Sequence, residues 1–316
     1  MKKSEAITIK SKLLCVHLHR FYTEFEMDRN IIKYINVNGQ LMDLSHPQVM
    51  GILNVTPDSF FAGSRKQNET DIAVRVHQIV DEGGSIIDIG AYSSRPNAED
   101  VSPEEEMRRL RFGLSVIRRE LPEAVVSVDT FRADVARMCV EEYGVSIIND
   151  ISAGMMDADM FPTVARLGIP YIIMHMQGTP QTMQTHPHYD NVVKDVMYYF
   201  SEKVQRLRDL GVKDIILDPG FGFGFGKTLT HNYALLSQLE EFSIFELPIL
   251  VGVSRKTMIY RLLGGEPEDA LNGTTAINAI ALTKGADILR VHDVKAAVEV
   301  VKIVSAMQHP TFITPS

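Results

Sequence analysis

The chain of 316 residues has no tryptophan and only two cysteines, Cys15 and Cys139. Two thiols so far apart in the sequence argue against a disulfide framework or a thiolate metal site, and they fit the reducing cytoplasm. The net charge of −8 gives no reason to expect binding to nucleic acid or to an acidic membrane surface. Because no run of 18 or more apolar residues occurs, we expect no membrane span.

Residues 1–27 also lack an apolar stretch long enough for a signal peptide, so we interpret them as a poorly ordered N-terminal extension. The composition of the whole chain, 45% hydrophobic and 23% charged, is ordinary for a globular protein. No low-complexity segment or Pro/Ser-rich linker interrupts it. We therefore expect a single domain over residues 28–316.

Eight short apolar runs dominate that domain, and a polar residue directly follows each run. The runs occupy residues 49–53, 85–87, 124–128, 145–148, 170–174, 214–217, 248–253 and 286–289. None of them alternates polar and apolar residues, so both faces of each predicted strand should be buried, as in a parallel sheet. Eight further segments repeat apolar residues at helical spacing. This alternation predicts an α/β protein with a (β/α)8 TIM barrel, because an open doubly wound sheet of six strands would leave two units over.

A β-hairpin is predicted ahead of the barrel. Asn38-Gly39 separates residues 31–37 from residues 40–44. Asn-Gly between two apolar stretches is a strong signal for a two-residue hairpin turn. We expect this N-terminal hairpin to cover the bottom of the barrel, where the strands begin.

The polar residues at the strand ends predict a functional site. In a TIM barrel the C-terminal ends of all strands meet at one mouth. The residues placed there are Asn54, Asp88, Asp129, Asn149, His175, Asp218, Ser254, Arg255, Lys256, Arg290 and His292. A buried polar group without a partner costs about 1–3 kcal/mol, so a ligand explains such a series better than helix capping does.

Two kinds of chemistry are present at this mouth. Asp129, Asn149 and Asp218 can bind a flat, nitrogen-rich heterocycle through paired hydrogen bonds. Arg290 and His292 suit a phosphate or a pyrophosphate group. The set as a whole therefore predicts a ligand that is a heterocycle carrying a pyrophosphate.

Three residues of the set carry separate expectations. Asn54 can supply an oxygen to Mg²⁺, which usually takes few protein ligands beside phosphate oxygens and water. Asp88 is expected to be a structural carboxylate that binds backbone N–H groups. His175 is expected to be a hydrogen-bonded histidine at a strand end rather than a general base.

Eight ordered motifs carry a resemblance to a known family. They are Gly-Ile-Leu-Asn-Val-Thr-Pro-Asp-Ser-Phe at 51–60, Ser-Arg-Pro at 94–96, Ser-Val-Asp-Thr at 127–130, Ile-Ile-Asn-Asp at 147–150, Met-His-Met at 174–176 with Gly-Thr-Pro at 178–180, Leu-Asp-Pro-Gly at 217–220, Gly-Val-Ser-Arg-Lys at 252–256 and Arg-Val-His-Asp at 290–293. Together they closely resemble the dihydropteroate synthases over about residues 49–306. The resemblance implies that 6-hydroxymethyl-7,8-dihydropterin diphosphate and p-aminobenzoate condense to 7,8-dihydropteroate and pyrophosphate, a step of folate synthesis. It also implies an SN1-like route, Mg²⁺ as cofactor and a homodimer.

The resemblance assigns roles to individual residues. Catalytic roles fall on Asp129, Asn149 and Lys256. The implied pterin-binding residues are Asp129, Asn149, Met174, Asp218 and Lys256. Asn54, Arg290 and His292 are implied to bind the pyrophosphate, and Asn54 also the metal. The implied p-aminobenzoate pocket contains Phe60, Ser94, Arg95, Pro96, Phe223 and Ser254.

The chain departs from the family pattern after Asp218. The stretch Asp-Pro-Gly-Phe-Gly-Phe-Gly-Phe-Gly-Lys at 218–227 has one Phe-Gly pair more than the common family form. One interpretation is a neutral change of loop length. The other is that a phenylalanine enters the p-aminobenzoate pocket and rejects sulfonamide drugs. The insertion is similar to one in Sul-type sulfonamide-resistant synthases.

Two other functions fit part of the pattern. A corrinoid-linked methyltransferase module binds methyltetrahydrofolate in a similar pterin barrel, but it should not need the pyrophosphate set at 254–256 and 290–292. A catalytically idle pterin-binding barrel would be expected to lose Asn54, Asp129 or Lys256, and all three are present.

Overall fold

The computed structural model describes residues 33–55, 65–92, 101–178 and 187–308, without the side chains of residues 65–67. The predicted extension over residues 1–27 lies outside the described residues, and the single domain over 28–316 stays a prediction. Within the described ranges, no helix combines the length and the apolar character needed to cross a membrane.

Eight parallel strands form the centre of the fold. They are β3 (Gln48–Asn54), β4 (Ile86–Gly90), β5 (Val126–Asp129), β6 (Ile147–Asp150), β7 (Tyr171–Met174), β8 (Ile215–Asp218), β9 (Leu250–Val251) and β10 (Ile288–Val291). Neighbours in the sheet follow the order β8, β7, β6, β5, β4, β3, β10, β9. A parallel bridge between Leu217 in β8 and Ile249, directly before β9, joins the two ends of that order. The sheet thus closes on itself, and the predicted TIM barrel is confirmed.

The predicted hairpin is also present. Its strands are β1 (Tyr34–Val37) and β2 (Gln40–Asp43), paired antiparallel. Asn38 and Gly39 have φ values of 53° and 81°, as a two-residue turn of type I′ requires. The hairpin shares one buried apolar cluster with the first inward residues of the barrel strands: Ile35, Val37, Leu44, Met50, Ile86, Ile147, Ile172, Ile216, Leu250 and Ile288. It therefore covers the N-terminal mouth, as predicted.

Helices surround this barrel. In the described part of the chain the α-helices are α1 (Arg65–Asp81), α2 (Pro103–Glu120), α3 (Ala133–Tyr143), α4 (Met160–Leu167), α5 (Val192–Asp209), α6 (Leu229–Ser237), α7 (Thr257–Leu263), α8 (Leu271–Thr283) and α9 (Val294–Gln308). Short 3-10 helices cover Phe223–Phe225, Leu239–Phe245 and Pro267–Ala270. Every segment with predicted helical spacing contains a helix, and α7 is an additional helix that the analysis of the sequence missed.

The alternation of side chains along each strand places the polar residues inside the barrel. Two residues beyond the buried Ile86, Ile147, Ile216 and Ile288 stand Asp88, Asn149, Asp218 and Arg290. Since alternate side chains of a strand point to the same face, these four polar side chains lie directly above the apolar bottom layer. One detail of the prediction is wrong for three residues: β4 continues to Gly90, β6 to Asp150 and β10 to Val291. Asp88, Asn149 and Arg290 therefore lie within their strands and not after them.

Candidate active site

An arginine joins two carboxylates in the upper half of the barrel. Arg290 donates from Nε to Asp88 Oδ2 at 2.6 Å and from Nη2 to Asp129 Oδ2 at 2.8 Å. Asn149 Nδ2 lies 3.4 Å from the same Asp88 oxygen. The expectation that Asp88 binds backbone N–H groups is therefore wrong. The partners of Asp88 are inward side chains of β10 and β6, and one strand separates each of these from β4.

Burial sets the charge state of this group. Desolvation raises the pKa of Asp129 to about 7, because Arg290 offsets it only partly and Asp88 adds a like charge nearby. Burial opposes the charge of Arg290, but Asp88 and Asp129 together raise its pKa. Asp129 is thus a carboxylate whose ionisation depends on what binds beside it.

A lysine and a carboxylate near the ends of β9 and β8 interact electrostatically. Asp218 ends β8, and its Oδ1 accepts a hydrogen bond from Gly220 N at 2.8 Å. Lys256 donates from Nζ to Phe221 O at 2.6 Å. Burial lowers the pKa of Lys256 to about 8, although the charge of Asp218 opposes this. The two groups form a donor and acceptor pair for a heterocycle.

The ends of β9 and β10 meet through a serine and a histidine. Ser254 Oγ accepts from His292 N at 3.1 Å and lies 3.0 Å from His292 Nδ1. Although His292 is partly exposed, desolvation lowers its pKa, and the charge of Arg290 adds to this effect. His292 is therefore neutral at pH 7 in the absence of a ligand. Arg75 on α1 donates from Nη2 to His292 O at 2.7 Å and holds this segment from outside.

Apolar side chains form a wall beside these polar groups. Met174, at the end of β7, belongs to a buried cluster with Phe131, Ile151 and Met176. Phe225 packs against this cluster, and Lys256 Nζ lies 4.8 Å from the centre of its ring. The sulfur and aromatic atoms of the buried cluster suit the flat face of a heterocycle, and Phe225 is a partly buried residue at its edge.

The three phenylalanines of residues 220–227, the Gly-Phe loop, have different environments. Phe221 is wholly buried, and Phe225 faces Lys256. Phe223 lies on a separate cavity of about 430 Å³, and the Arg261 guanidinium stands 5.1 Å from the centre of its ring. The other residues lining the cavity are Pro187, Gly224, Lys227, Thr228, Thr257 and Tyr260.

The structure brings together most of the predicted site residues. Among them, Arg255 is directed away from this group, because its guanidinium pairs with Asp293 at 2.8 and 2.9 Å. The predicted residues Phe60, Ser94, Arg95 and Pro96 lie outside the described residues.

Lys227 was missed by the analysis of the sequence. It lies 1% exposed beneath the Gly-Phe loop, and Nζ is 2.9 Å from His175 Nδ1. Its position directly after the Phe-Gly repeat was the available signal, but no pattern in the sequence indicates how deep a lysine lies. The predicted hydrogen bond of His175 is confirmed by this contact.

Asn54 is the predicted protein ligand for a metal. Asn54 ends β3, and its Oδ1 would lie 3.9 Å from a Cβ added at Gly90, so the glycine leaves space beside the amide. No three His, Cys, Asp or Glu side chains form a metal-binding group in the described part of the chain. A single amide oxygen with open space suits Mg²⁺, which keeps several waters and phosphate oxygens.

Comparisons with known proteins agree with this geometry. The family described as pterin binding enzyme matches residues 50–292. The dihydropteroate synthase of Escherichia coli K12 is 45% identical over 270 residues, covering 85% of this chain and 94% of that protein. The Haemophilus influenzae enzyme of the same name is 41% identical over 84% of this chain and 96% of its own length.

Solved structures give the same result. The Yersinia pestis dihydropteroate synthase with a sulfonamide drug complex has a TM-score of 0.79 and 40% identity, covering 87% of this chain and 99% of that one. The Xanthomonas albilineans dihydropteroate synthase with 4-aminobenzoic acid has a TM-score of 0.80 and 36% identity, covering 88% and 99%. The extent of the match, the identity and the shared barrel leave one conclusion: the chain belongs to the pterin-binding enzyme family and, within it, to the dihydropteroate synthases.

Proposed function

We propose that the protein condenses 6-hydroxymethyl-7,8-dihydropterin diphosphate with p-aminobenzoate to give 7,8-dihydropteroate and pyrophosphate. The observation that carries the proposal is the juxtaposition of Asp218 and Lys256 with the Arg290 group, over the apolar wall around Met174. The Xanthomonas albilineans relative, whose structure holds 4-aminobenzoic acid, supports the second substrate.

The pterin would lie on the wall formed by Met174 and its neighbours. Asn149 and Asp218 would pair with ring nitrogens, and Lys256 would donate to a ring acceptor. The bond between the pterin methylene and the diphosphate oxygen breaks, and the electron pair leaves with the pyrophosphate. Asp129, ionised at that stage, would stabilise the resulting cation. The amine nitrogen of p-aminobenzoate then bonds to the methylene carbon and loses a proton.

Arg290 would hold the leaving pyrophosphate. Its bonds to Asp88 and Asp129 use two of the five N–H donors of a guanidinium, so donors remain for a phosphate oxygen. His292, neutral in the ligand-free site, would donate one hydrogen bond beside it. Asn54 would hold Mg²⁺, which when bound supplies positive charge to the leaving group.

The second substrate would approach from the side of the Gly-Phe loop. Phe223 and Ser254 are the described residues that we assign to the p-aminobenzoate pocket, while Phe60, Ser94, Arg95 and Pro96 remain assigned by family resemblance alone. Ser254 would contact p-aminobenzoate directly. It would also orient the imidazole of His292, because the two side chains are hydrogen-bonded.

The test is pyrophosphate release by the purified protein with dihydropterin diphosphate, Mg²⁺ and p-aminobenzoate. We expect release that depends on p-aminobenzoate, with dihydropteroate as the product by mass spectrometry. Binding of the pterin without any release would contradict the proposal and would favour the methyltransferase or the idle barrel. Release at the same rate without p-aminobenzoate would show a hydrolase instead.

We further propose that the extra Phe-Gly pair reduces sulfonamide binding. Phe223 is held by Arg261 at the edge of the cavity that adjoins Thr257, where a drug longer than p-aminobenzoate would extend. Deletion of Phe223-Gly224 should lower the inhibition constant of sulfamethoxazole while leaving the KM for p-aminobenzoate within about threefold. An inhibition constant that does not change would make the pair a neutral insertion.

We also propose that the protein is a cytoplasmic homodimer that acts on small molecules and binds neither nucleic acid nor membranes. The late helices expose large apolar residues, namely Leu271, Ile280, Ile303 and Met307. Burial of this face between two copies is the expected reason. Light scattering after gel filtration should give twice the mass of the chain, and a monomer mass would rule out the dimer.

A further inference from the structure

Lys227 is a buried lysine whose hydrogen bonds are all internal. Nζ lies 2.9 Å from His175 Nδ1, 3.1 Å from His175 O and 3.4 Å from Phe225 O. Three acceptors match the three N–H donors of an ammonium group. When Lys227 is protonated, Nδ1 of His175 accepts its hydrogen bond, and the neutral ring then carries its proton on Nε2. Burial, followed by the charge of Lys227, lowers the pKa of His175 well below its usual value, which agrees with this tautomer.

The bonds of Lys227 connect two distant parts of the chain. His175 directly follows β7, whereas Phe225 lies in the Gly-Phe loop after β8. A second bond joins the same region, because Tyr189 donates from its hydroxyl to Gly226 O at 2.8 Å. Gly226 has a φ of +72°, and a Cβ there would lie 2.8 Å from Gln177 Cβ. The C-terminal half of the loop is therefore packed directly on the segment that follows β7.

The N-terminal half of the loop is held from the other side. Gly222 donates its N–H to Asn232 Oδ1 at 2.6 Å, and Phe221 O accepts from Lys256 at 2.6 Å. Between these two attachments lies the short 3-10 turn Phe223–Phe225. The Phe225 ring then stands 4.8 Å from Lys256 Nζ.

We propose that Lys227 is a positioning residue for the second substrate. Its bonds to His175 and Phe225 hold the Phe225 ring at the edge of the apolar wall, on the side of the Gly-Phe loop from which the arylamine would approach. Without those bonds, the turn would lose its attachment on the side of β7 and the ring would no longer close that side of the site. The pterin side would be affected less, since Asp218, Asn149 and Met174 are held by their own strands.

This inference rests on the proposed function, because it concerns the site of the arylamine. The experiment therefore begins with the wild-type protein: if it releases no pyrophosphate, the function fails before Lys227 is tested. The first variant is Lys227→Met, which keeps the length of the side chain and removes its donors. The conservative variant is Lys227→Arg, and the matched control is Lys194→Met on the exposed surface of α5.

We expect Lys227→Met to raise the KM for p-aminobenzoate by about tenfold, the low end of what a lost hydrogen bond to a charged group is worth. The KM for the pterin diphosphate should stay within about twofold of the wild-type value. Lys227→Arg should recover part of the loss, and Lys194→Met should show none. Hydrogen exchange of a peptide covering residues 221–226 should become faster only in Lys227→Met.

Two results would overturn the proposal. One is a folded Lys227→Met protein whose KM for p-aminobenzoate is unchanged. The other is an equal rise of both KM values, because that indicates general destabilisation rather than positioning. Should Lys227→Met fail to fold, Tyr189→Phe removes the second bond to the same half of the loop and should raise the same KM by about threefold. An unchanged KM in that variant would contradict the positioning role in the same way.

Discussion

Arg290, Asp88 and Asp129 are far apart in the chain but are bonded to one another in the barrel, where Arg290 and Asp129 are partly buried. Asp88 is wholly buried, and its negative charge contributes to the raised pKa of Asp129. At the same time it holds Arg290 Nε at 2.6 Å, so it fixes the direction of the guanidinium. Asp88 therefore influences the site in two ways without being placed to touch a ligand.

Replacement of Asp88 by Asn tests both the effect of its charge on Asp129 and its bond to Arg290. Loss of the negative charge should lower the pKa of Asp129, so the acid limb of the kcat/KM profile should move to lower pH by about one unit. Because the bond to Arg290 weakens, kcat/KM at pH 8 should also fall by about tenfold. The measurement is kcat/KM for the pterin diphosphate from pH 5 to 9.

Ser127→Ala is the matched control for that variant. Ser127 pairs with Asp88 in the register of β4 and β5, and within the described residues its buried hydroxyl has no hydrogen-bond partner. Removal of the Ser127 hydroxyl should leave the pH profile of kcat/KM unchanged. An acid limb that does not move in Asp88→Asn would show that Asp88 does not set the charge of Asp129.

At the scale of elements, the Gly-Phe loop depends on a close approach of backbone to backbone. Gly220 has a φ of +72°, and a Cβ there would lie 2.0 Å from His175 O. Gly220→Ala should therefore destabilise the protein by more than about 2 kcal/mol, since both the backbone conformation and the contact become unfavourable. Urea unfolding measures this change.

Gly144→Ala isolates the contribution of the backbone conformation. Gly144 has a φ of +61°, but nothing described lies within 4 Å of a Cβ added there. Its replacement should cost only about 1 kcal/mol. Equal losses of stability in the two variants would mean that the contact between Gly220 and His175 is unimportant.

Elements were predicted from the sequence far better than contacts were. Apolar runs followed by polar residues predicted all eight barrel strands, and Asn38-Gly39 predicted the hairpin, because both signals are local. Helix α7 was missed because its seven residues are too few to show a periodic stripe. The pairing of Asp88 with Arg290 spans 202 positions in the sequence, and only the closure of the barrel brings β4 and β10 within reach.

In the site too, positions were predicted better than contacts. Polar residues at strand ends were predictable because strand direction alone brings them to one mouth. The partners of each side chain depend on the barrel stagger, which no local pattern reports. For this reason Arg290 was assigned to pyrophosphate alone, whereas the structure shows it bonded to Asp88 and Asp129.

For the molecule as a whole, Lys227 makes stability depend on pH. Burial lowers its pKa to about 7, with the charge of Asp218 opposing this and that of Lys256 adding to it. In the unfolded chain a lysine titrates near 10.4, as in model peptides. Below pH 7 both states bind the proton, and the native state bears the full cost of burying it. Between pH 7 and about 10 only the unfolded state binds it, so this contribution to stability rises with pH.

Lys227→Met removes this titration. It also removes the charge that lowers the pKa of His175, but that pKa already lies well below its usual value and so outside this pH range. The unfolding free energy of the wild type, minus that of the variant, should therefore increase between pH 7 and 10 by up to about 1.4 kcal/mol per pH unit. Urea unfolding at pH 7.5, 8.5 and 9.5 measures the difference, with the exposed Lys194→Met as control. A difference that stays constant over this range would mean that Lys227 keeps an ordinary pKa. Its three internal hydrogen bonds would then compensate fully for burial of the charge.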